Sequence, residues 1–393
     1  MKGYRLVMLS MALVSVINGL LYSVLALYVY SVSEDFFLVG LIMALPFLAA
    51  VPMTFVWGAL SDRIGSRKLV VAGAGIVGGL LFFPLPFLGT TGLITVRLMQ
   101  VAFTTSFFLL NATATEFHPT RKGASIGDLA LVAGAGQMAG ALAAGFLLPS
   151  EMMYAGSDAL RLVFFLAGAI TIAAALAVMG VEEKGVHVEG TKARNLLKFG
   201  ETRGMALVTL AALIIPMSGY VVFSVFPVYI GNLDIPWDAT MKVGIFTALS
   251  AITGVFASGL AGRASDRWGR RRVLVASGVA YVLVWLGMAS TRDPLITAAF
   301  WAVPVWSFFY VSATAMAADL TKEEERGRGI GLVNSGINLG AAMGSIASGY
   351  LLSRGVVDNV FFVAAGVALV GTIAALACRE TLARSQSDPA TKG

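Results

Sequence analysis

Ionisable side chains are scarce inside the long apolar runs of this 393-residue chain, and lipid or protein interior makes each of them costly. Arg97 is one, in the stretch Arg97-Leu98-Met99-Gln100. Steps of three and four from it reach Gln100, Thr104, Phe108, Asn111 and Thr115, which predicts a single polar stripe along one helix. Such a stripe suits the wall of a water-filled cavity, where Arg97 can bind an anion or take part in proton movement. The competing reading sets Arg97 only about 6–8 Å below a membrane surface, at about 1.5 Å per residue, with its guanidinium reaching out to the headgroups. Asp128, four residues into the next apolar run, is the other ionisable candidate. It can titrate, or it can pair with Arg121 or the nearby loop bases, and the pairing is the preferred reading. Other chemistry is poorly supplied. Two histidines and the single cysteine, Cys378, give neither a His-rich metal site nor an internal disulfide framework. The glycine-rich stretches follow no strand and contain no Gly-Lys-Ser/Thr, so a phosphate-binding loop and ATP-driven work are not expected.

The elements that must hold these groups are membrane helices. Apolar residues make up 58% of the chain and charged residues 13%, with a mean hydropathy of +0.83. Soluble domains run at roughly 45–50% and about 25%. Twelve spans of about 20 residues, the length that crosses a hydrocarbon core, account for the excess. The composition excludes a soluble enzyme, a nucleic-acid binder and a secreted scaffold. Apolar runs set against polar breaks predict spans at 4–30, 36–59, 69–88, 93–114, 125–148 and 159–180, then 204–231, 241–262, 273–290, 295–318, 328–352 and 359–377. With twelve spans both termini share a side. That side receives 23 of the Lys and Arg residues, against four (Arg161, Lys242, Arg292 and Arg354) on the other. The bias predicts cytoplasmic termini and explains the net charge of +6 without nucleic acid. The first apolar run is too long for a secretory leader and is followed by Glu34-Asp35, so no cleavable leader is expected.

An internal repeat organises the spans. An offset of 204 residues aligns Gly58 with Gly262, Ser61 with Ser265, Asp62-Arg63 with Asp266-Arg267, and Gly65 with Gly269. The same offset pairs Gly136 with Gly340, Gly140 with Gly344 and Gly145 with Gly349. The expected organisation is an N-terminal six-helix bundle over 1–180, a polar cytoplasmic linker over 181–203, a C-terminal six-helix bundle over 204–378 and a tail over 379–393. The glycines of spans 5 and 11, Gly134 and Gly336 among them, predict helices that approach closely.

The loop between spans 2 and 3, Gly58-Ala59-Leu60-Ser61-Asp62-Arg63-Ile64-Gly65-Ser66-Arg67-Lys68, resembles the loop signature of the major facilitator superfamily. Gly262-Arg263-Ala264-Ser265-Asp266-Arg267-Trp268-Gly269-Arg270-Arg271 is a fuller copy, since Ser66 replaces the usual basic residue in the first. Gly58 and Gly65 are read as allowing a tight turn, and Asp62 as an anion placed for the positive end of a helix. The resemblance makes that helix span 11 and the contact a latch on the cytoplasmic side. Asp62, Arg63 and Arg67 would form it, with Lys68 and acids such as Glu116 or Asp128, and Gly262, Asp266, Arg267 and Gly269 would be the second copy.

The resemblance implies an all-α membrane protein of twelve transmembrane helices in two pseudo-symmetric six-helix bundles, working by alternating access with no covalent step and no cofactor. Arg97 with Gln100 resembles an element of span 4 in proton-coupled members. Spans 1, 4, 7 and 10 would line a substrate cavity. That assigns Asn18 and Tyr22, Thr104, Phe108 and Asn111, Tyr220, Phe223 and Ser224, and Trp306, Tyr310 and Thr314 as lining residues, whereas Tyr28 and Trp301 are read as anchors or packing. Aromatic walls with neutral hydrogen-bonding groups suit an amphiphilic or uncharged solute. Ala141 stands where the drug–proton antiporters carry a proline, and spans 1, 7 and 10 lack a mid-span acid. The expected function is proton-coupled efflux of small amphiphilic compounds by a monomer in a prokaryotic cytoplasmic membrane. Uptake or facilitated diffusion of a sugar or organic anion, with Arg97 as the anion's partner, is the alternative, and lipid translocation a third.

Overall fold

The computed structural model describes residues 2–117, 122–147, 158–183, 202–224, 226–231, 233–321, 326–356 and 359–382. Its regular elements there are all helical: α1 (Lys2–Ser33), α2 (Phe36–Ile64), α3 (Arg67–Leu80), α4 (Thr90–Thr104), α5 (Leu109–Phe117), α6 (Lys122–Leu147), α7 (Asp158–Met179), α8 (Thr202–Phe223), α9 (Phe226–Gly231), α10 (Ala239–Trp268), α11 (Arg270–Ala289), α12 (Pro294–Trp301), α13 (Val305–Asp319), α14 (Arg326–Ser353) and α15 (Val360–Ala377). They form twelve segments long and apolar enough to cross a membrane.

Local chemistry sets the helix ends. Asp35 caps α2 by accepting from the Phe37 amide at 2.8 Å, and Gly65 ends it in the left-handed region at φ 72°. Ser66 then caps α3. Asp293 accepts from the amides of Leu295 and Ile296, and Pro294 occupies the first position of α12.

Four predicted spans are not continuous helices, span 7 among them, where α8 ends at Phe223 and α9 begins at Phe226. Span 3 leaves α-geometry after Leu80 and finishes in a 3-10 turn, Leu85–Phe87, flanked and occupied by Pro84 and Pro86. Span 4 contains a 3-10 turn at Thr105–Phe108 between α4 and α5. Span 10 breaks at 302–304, ahead of α13, where Pro304 cannot donate to the helix ladder.

The chain divides into two compact units, Met1–Lys192 with Phe226–Ile252, and Ala193–Val225 with Thr253–Gly393, so the boundary falls inside α10. In the first unit α1 lies on α6 with backbone against backbone. A Cβ on Gly140 would collide with the Val16 carbonyl oxygen, and one on Gly19 with that of Gln137. In the second unit α8 and α14 meet the same way, with Gly340 against the Leu213 carbonyl and Gly344 against that of Met217. The repeated glycines therefore perform the same packing task in each unit. Around this seam the first unit buries Leu20, Leu21, Val24, Ile42, Leu45, Leu93 and Phe164 in one apolar cluster.

Candidate functional site

On α4 the residues Leu93, Arg97, Gln100 and Val101 share the buried face. Arg97 is 5% exposed. Its Nη1 donates to Gln100 Oε1, while its Nε is buried without a hydrogen-bond partner among the described residues. Gln100 Nε2 approaches Thr104 Oγ1 at 3.4 Å, and that hydroxyl donates to the Gln100 carbonyl at 3.0 Å. Helical side chains lean toward the N-terminus of their helix, so an arginine reaching for headgroups at the start of α4 would extend that way. Arg97 instead turns one helical step toward the C-terminus and stays inside.

The single stripe expected beyond Thr104 is interrupted. Four residues at about 120° rather than about 100° per residue turn the following helix by roughly 80°. Phe108 is half-buried, and Asn111 is exposed, with its side-chain amide donating to the Phe108 carbonyl at 3.1 Å. Thr115 donates to Ala112 at 2.8 Å. Trp57 of α2 donates its indole N–H to the Ala102 carbonyl at 2.8 Å, beside the start of the turn.

The aromatic candidates fall into two groups. In the first unit Asn18 is exposed, while Tyr22 is buried. Tyr28 is packing: its hydroxyl donates to the Leu85 carbonyl at 2.9 Å and its ring meets Phe164 edge-on. In the second unit Tyr220 meets Phe223 at 5.3 Å, and Phe223 stacks on Trp301 at 6.3 Å. Ser224 is buried, donating to Ser345 at 2.9 Å, and this binds α8 to α14 rather than offering a lining hydroxyl. Trp306 and Tyr310 stack at 5.9 Å and stay 39% and 38% exposed, and Thr314 donates to the Tyr310 carbonyl.

The loop charges are more tied down than their spacing suggests. Gly65 makes the turn alone. Gly58 lies inside α2 with open space around it, and Gly262 lies likewise inside α10, which corrects the reading of Gly58 as a turn residue. Asp62, Arg63 and Arg267 are exposed. Arg67 pairs with Glu116, whereas Asp128 accepts from the Tyr4 hydroxyl at 2.8 Å. Arg121, the expected partner of Asp128, lies outside the described residues.

Two carboxylates that sequence reasoning missed organise this end of each unit. Glu183, after α7, accepts from Ser66 Oγ and the Lys68 amide, both at 2.6 Å. Glu380, after α15, accepts from the amides of Arg270 at 2.9 Å, Arg271 at 3.4 Å, Thr381 at 3.0 Å and Leu382 at 3.3 Å. Each sits at the N-terminus of the third span of its own unit, where unpaired amides favour an anion. Burial raises the Glu380 carboxyl, but the four backbone donors outweigh it and hold the group below the usual carboxylate range. Arg270, in the position of Ser66, pairs with Asp266 at 2.8 Å and Asp319 at 2.6 Å. Lys242 is a further buried cation, its ammonium donating to the Gly231 and Leu233 carbonyls at 3.1 and 2.8 Å. No group of three or more His, Cys, Asp or Glu that could hold a metal occurs among the described residues.

Comparison with known proteins adds the following. The sequence model described as Major Facilitator Superfamily matches residues 7–260 and 208–392. The multi-drug resistance efflux pump PmrA of Streptococcus pneumoniae serotype 4 is 25% identical over 271 residues, a stretch covering 66% of this chain and 65% of that protein. The chain thus spans about two thirds of the length of such a curated relative. Among solved structures, that of the nucleoside transporter NupG superposes with a TM-score of 0.79 at 15% identity, covering 96% of this chain and 99% of the other. That of a D-xylose-proton symporter superposes with a TM-score of 0.78 at 12% identity, covering 97% and 98%.

Proposed function

The chain belongs to the major facilitator superfamily, and from that membership we propose that this transporter exports small amphiphilic compounds by proton-coupled alternating access. It is a multi-pass membrane protein and not an enzyme. The observation that carries the reading is the line of Arg97, Gln100 and Thr104, a charged and hydrogen-bonded track held inside a membrane-spanning helix. Lipid-facing packing gains nothing from such groups, and a polar track within a span is what a solute or ion path requires. The efflux name of the relative from Streptococcus pneumoniae supports export as the direction.

In this reading Arg97 and Gln100 bind solute. Trp306 and Tyr310 offer stacked, accessible rings for the apolar part of a solute. Both termini are cytoplasmic, the chain works as a monomer, and the two loop copies around Asp62 and Asp266 govern the alternation.

Everted membrane vesicles containing the protein test it. An amphiphilic fluorescent dye should accumulate inside when a pH gradient is imposed and leave when a protonophore is added. Dye movement that ignores both the gradient and the protonophore would remove proton coupling, and no protein-dependent accumulation would remove export.

A further inference from the structure

Arg97 is a cation whose charge no described residue neutralises. None of the ion pairs among the described residues includes it, and its one hydrogen-bond partner, Gln100 Oε1, is the oxygen of a neutral amide. The neighbouring positions on the buried face of α4, Leu93 and Val101, belong to the apolar cluster of the first unit. Two other cations of that unit are treated differently. Arg67 has the Glu116 carboxylate, and the buried Lys242 ammonium has two backbone carbonyls. A guanidinium carries five donors in a planar fork that matches a carboxylate with two parallel hydrogen bonds. Gln100 engages Nη1 only, and the Nε side of the fork is buried and unpartnered. Gln100 Nε2, loosely placed at 3.4 Å from Thr104, is a further donor on the same face.

We infer that Arg97 and Gln100 form the binding point for one carboxylate-type group, so that the solutes moved are amphiphiles bearing a single negative charge. The inference rests on the transporter reading above and narrows its substrate class. A buried, half-engaged fork is stable once an oxyanion supplies both the missing charge and the missing acceptors, whereas a cationic solute there would place two positive charges together in a medium that screens them poorly. Arginine rather than lysine fits the task because the planar fork recognises the group as well as its charge.

The test uses the purified protein in detergent and in proteoliposomes, with 2-naphthoate as probe, its neutral isostere 2-naphthamide, a naphthylmethylammonium cation, and sodium chloride as a separate arm. Naphthoate should raise the thermal unfolding midpoint and the other three should not. Its apparent affinity should fall by at least about tenfold in Arg97→Gln, less in Arg97→Lys and by an intermediate amount in Gln100→Leu. Equal shifts by naphthoate and naphthamide in the wild type would overturn the inference, and this arm needs no variant to fold. So would a naphthoate response unchanged in a folded Arg97→Gln protein, or chloride alone reproducing the whole shift. Counterflow of the cation or amide without naphthoate would overturn the inference while leaving the transporter reading intact. Absence of counterflow for every solute, with the naphthoate shift present, would instead remove the transporter reading.

Discussion

Glu380 shows how one side chain fixes a loop. Its carboxylate gathers the Arg270 and Arg271 amides at the start of α11 and those of Thr381 and Leu382 beside it, and Gly269 makes room for it at φ 102°, where an added Cβ would collide with the carboxylate. Because its folded value is held below the ordinary glutamate value of about 4.3, the ionised group stabilises the fold above that pH. The contribution is lost as pH falls through the folded value. Thermal melts from pH 7 downward should therefore show Glu380→Gln less stable than wild type at neutral pH, with the gap closing below about pH 4. A gap that stays constant over that range would separate Glu380 from acid sensitivity. Gly269→Ala should cost about 1–3 kcal/mol at any of these pH values, because both the backbone conformation and the collision oppose it.

At the scale of helices, close approach at glycines and a turn within α4–α5 carry most of the mechanical content. Gly140→Val should destabilise the protein by about 1–3 kcal/mol or prevent folding, since no space exists between α6 and the Val16 backbone. Gly127→Ala on the same helix, with nothing within reach of its Cβ, should be neutral, and size-exclusion profiles with melting curves compare the two. Trp57→Phe, which removes the indole donor to Ala102, should lower stability by about 1 kcal/mol. The glycine seams were readable in the sequence because one offset repeats them in two halves, so the packing follows from residue type alone. The break in span 10 also left a signal, Pro304. The 3-10 turn at Thr105–Phe108 left none, having neither glycine nor proline. Glu183 and Glu380 were hidden for another reason. Each acts on amides more than 100 residues away in sequence, and periodicity and local spacing do not reach that far.

For the molecule as a whole, membership of the superfamily supplies twelve spans and a transport function, and named residues must supply direction, coupling and solute. Asp62 is exposed near the C-terminal end of α2, so Asp62→Asn should fold normally and still alter the alternation. The expected outcome is a changed reactivity of cysteine probes introduced at cytoplasmic loop positions, and unchanged reactivity would free Asp62 from that role. The central claim is solute movement coupled to protons through the Arg97 track. It is tested most directly by recording internal pH in proteoliposomes of purified protein while carboxylate, neutral and cationic amphiphiles are added outside in turn. The account predicts a protein-dependent proton flux evoked by the carboxylates and abolished in Arg97→Ala. Solute equilibration with no change in internal pH, or a flux that persists undiminished in Arg97→Ala, would contradict it.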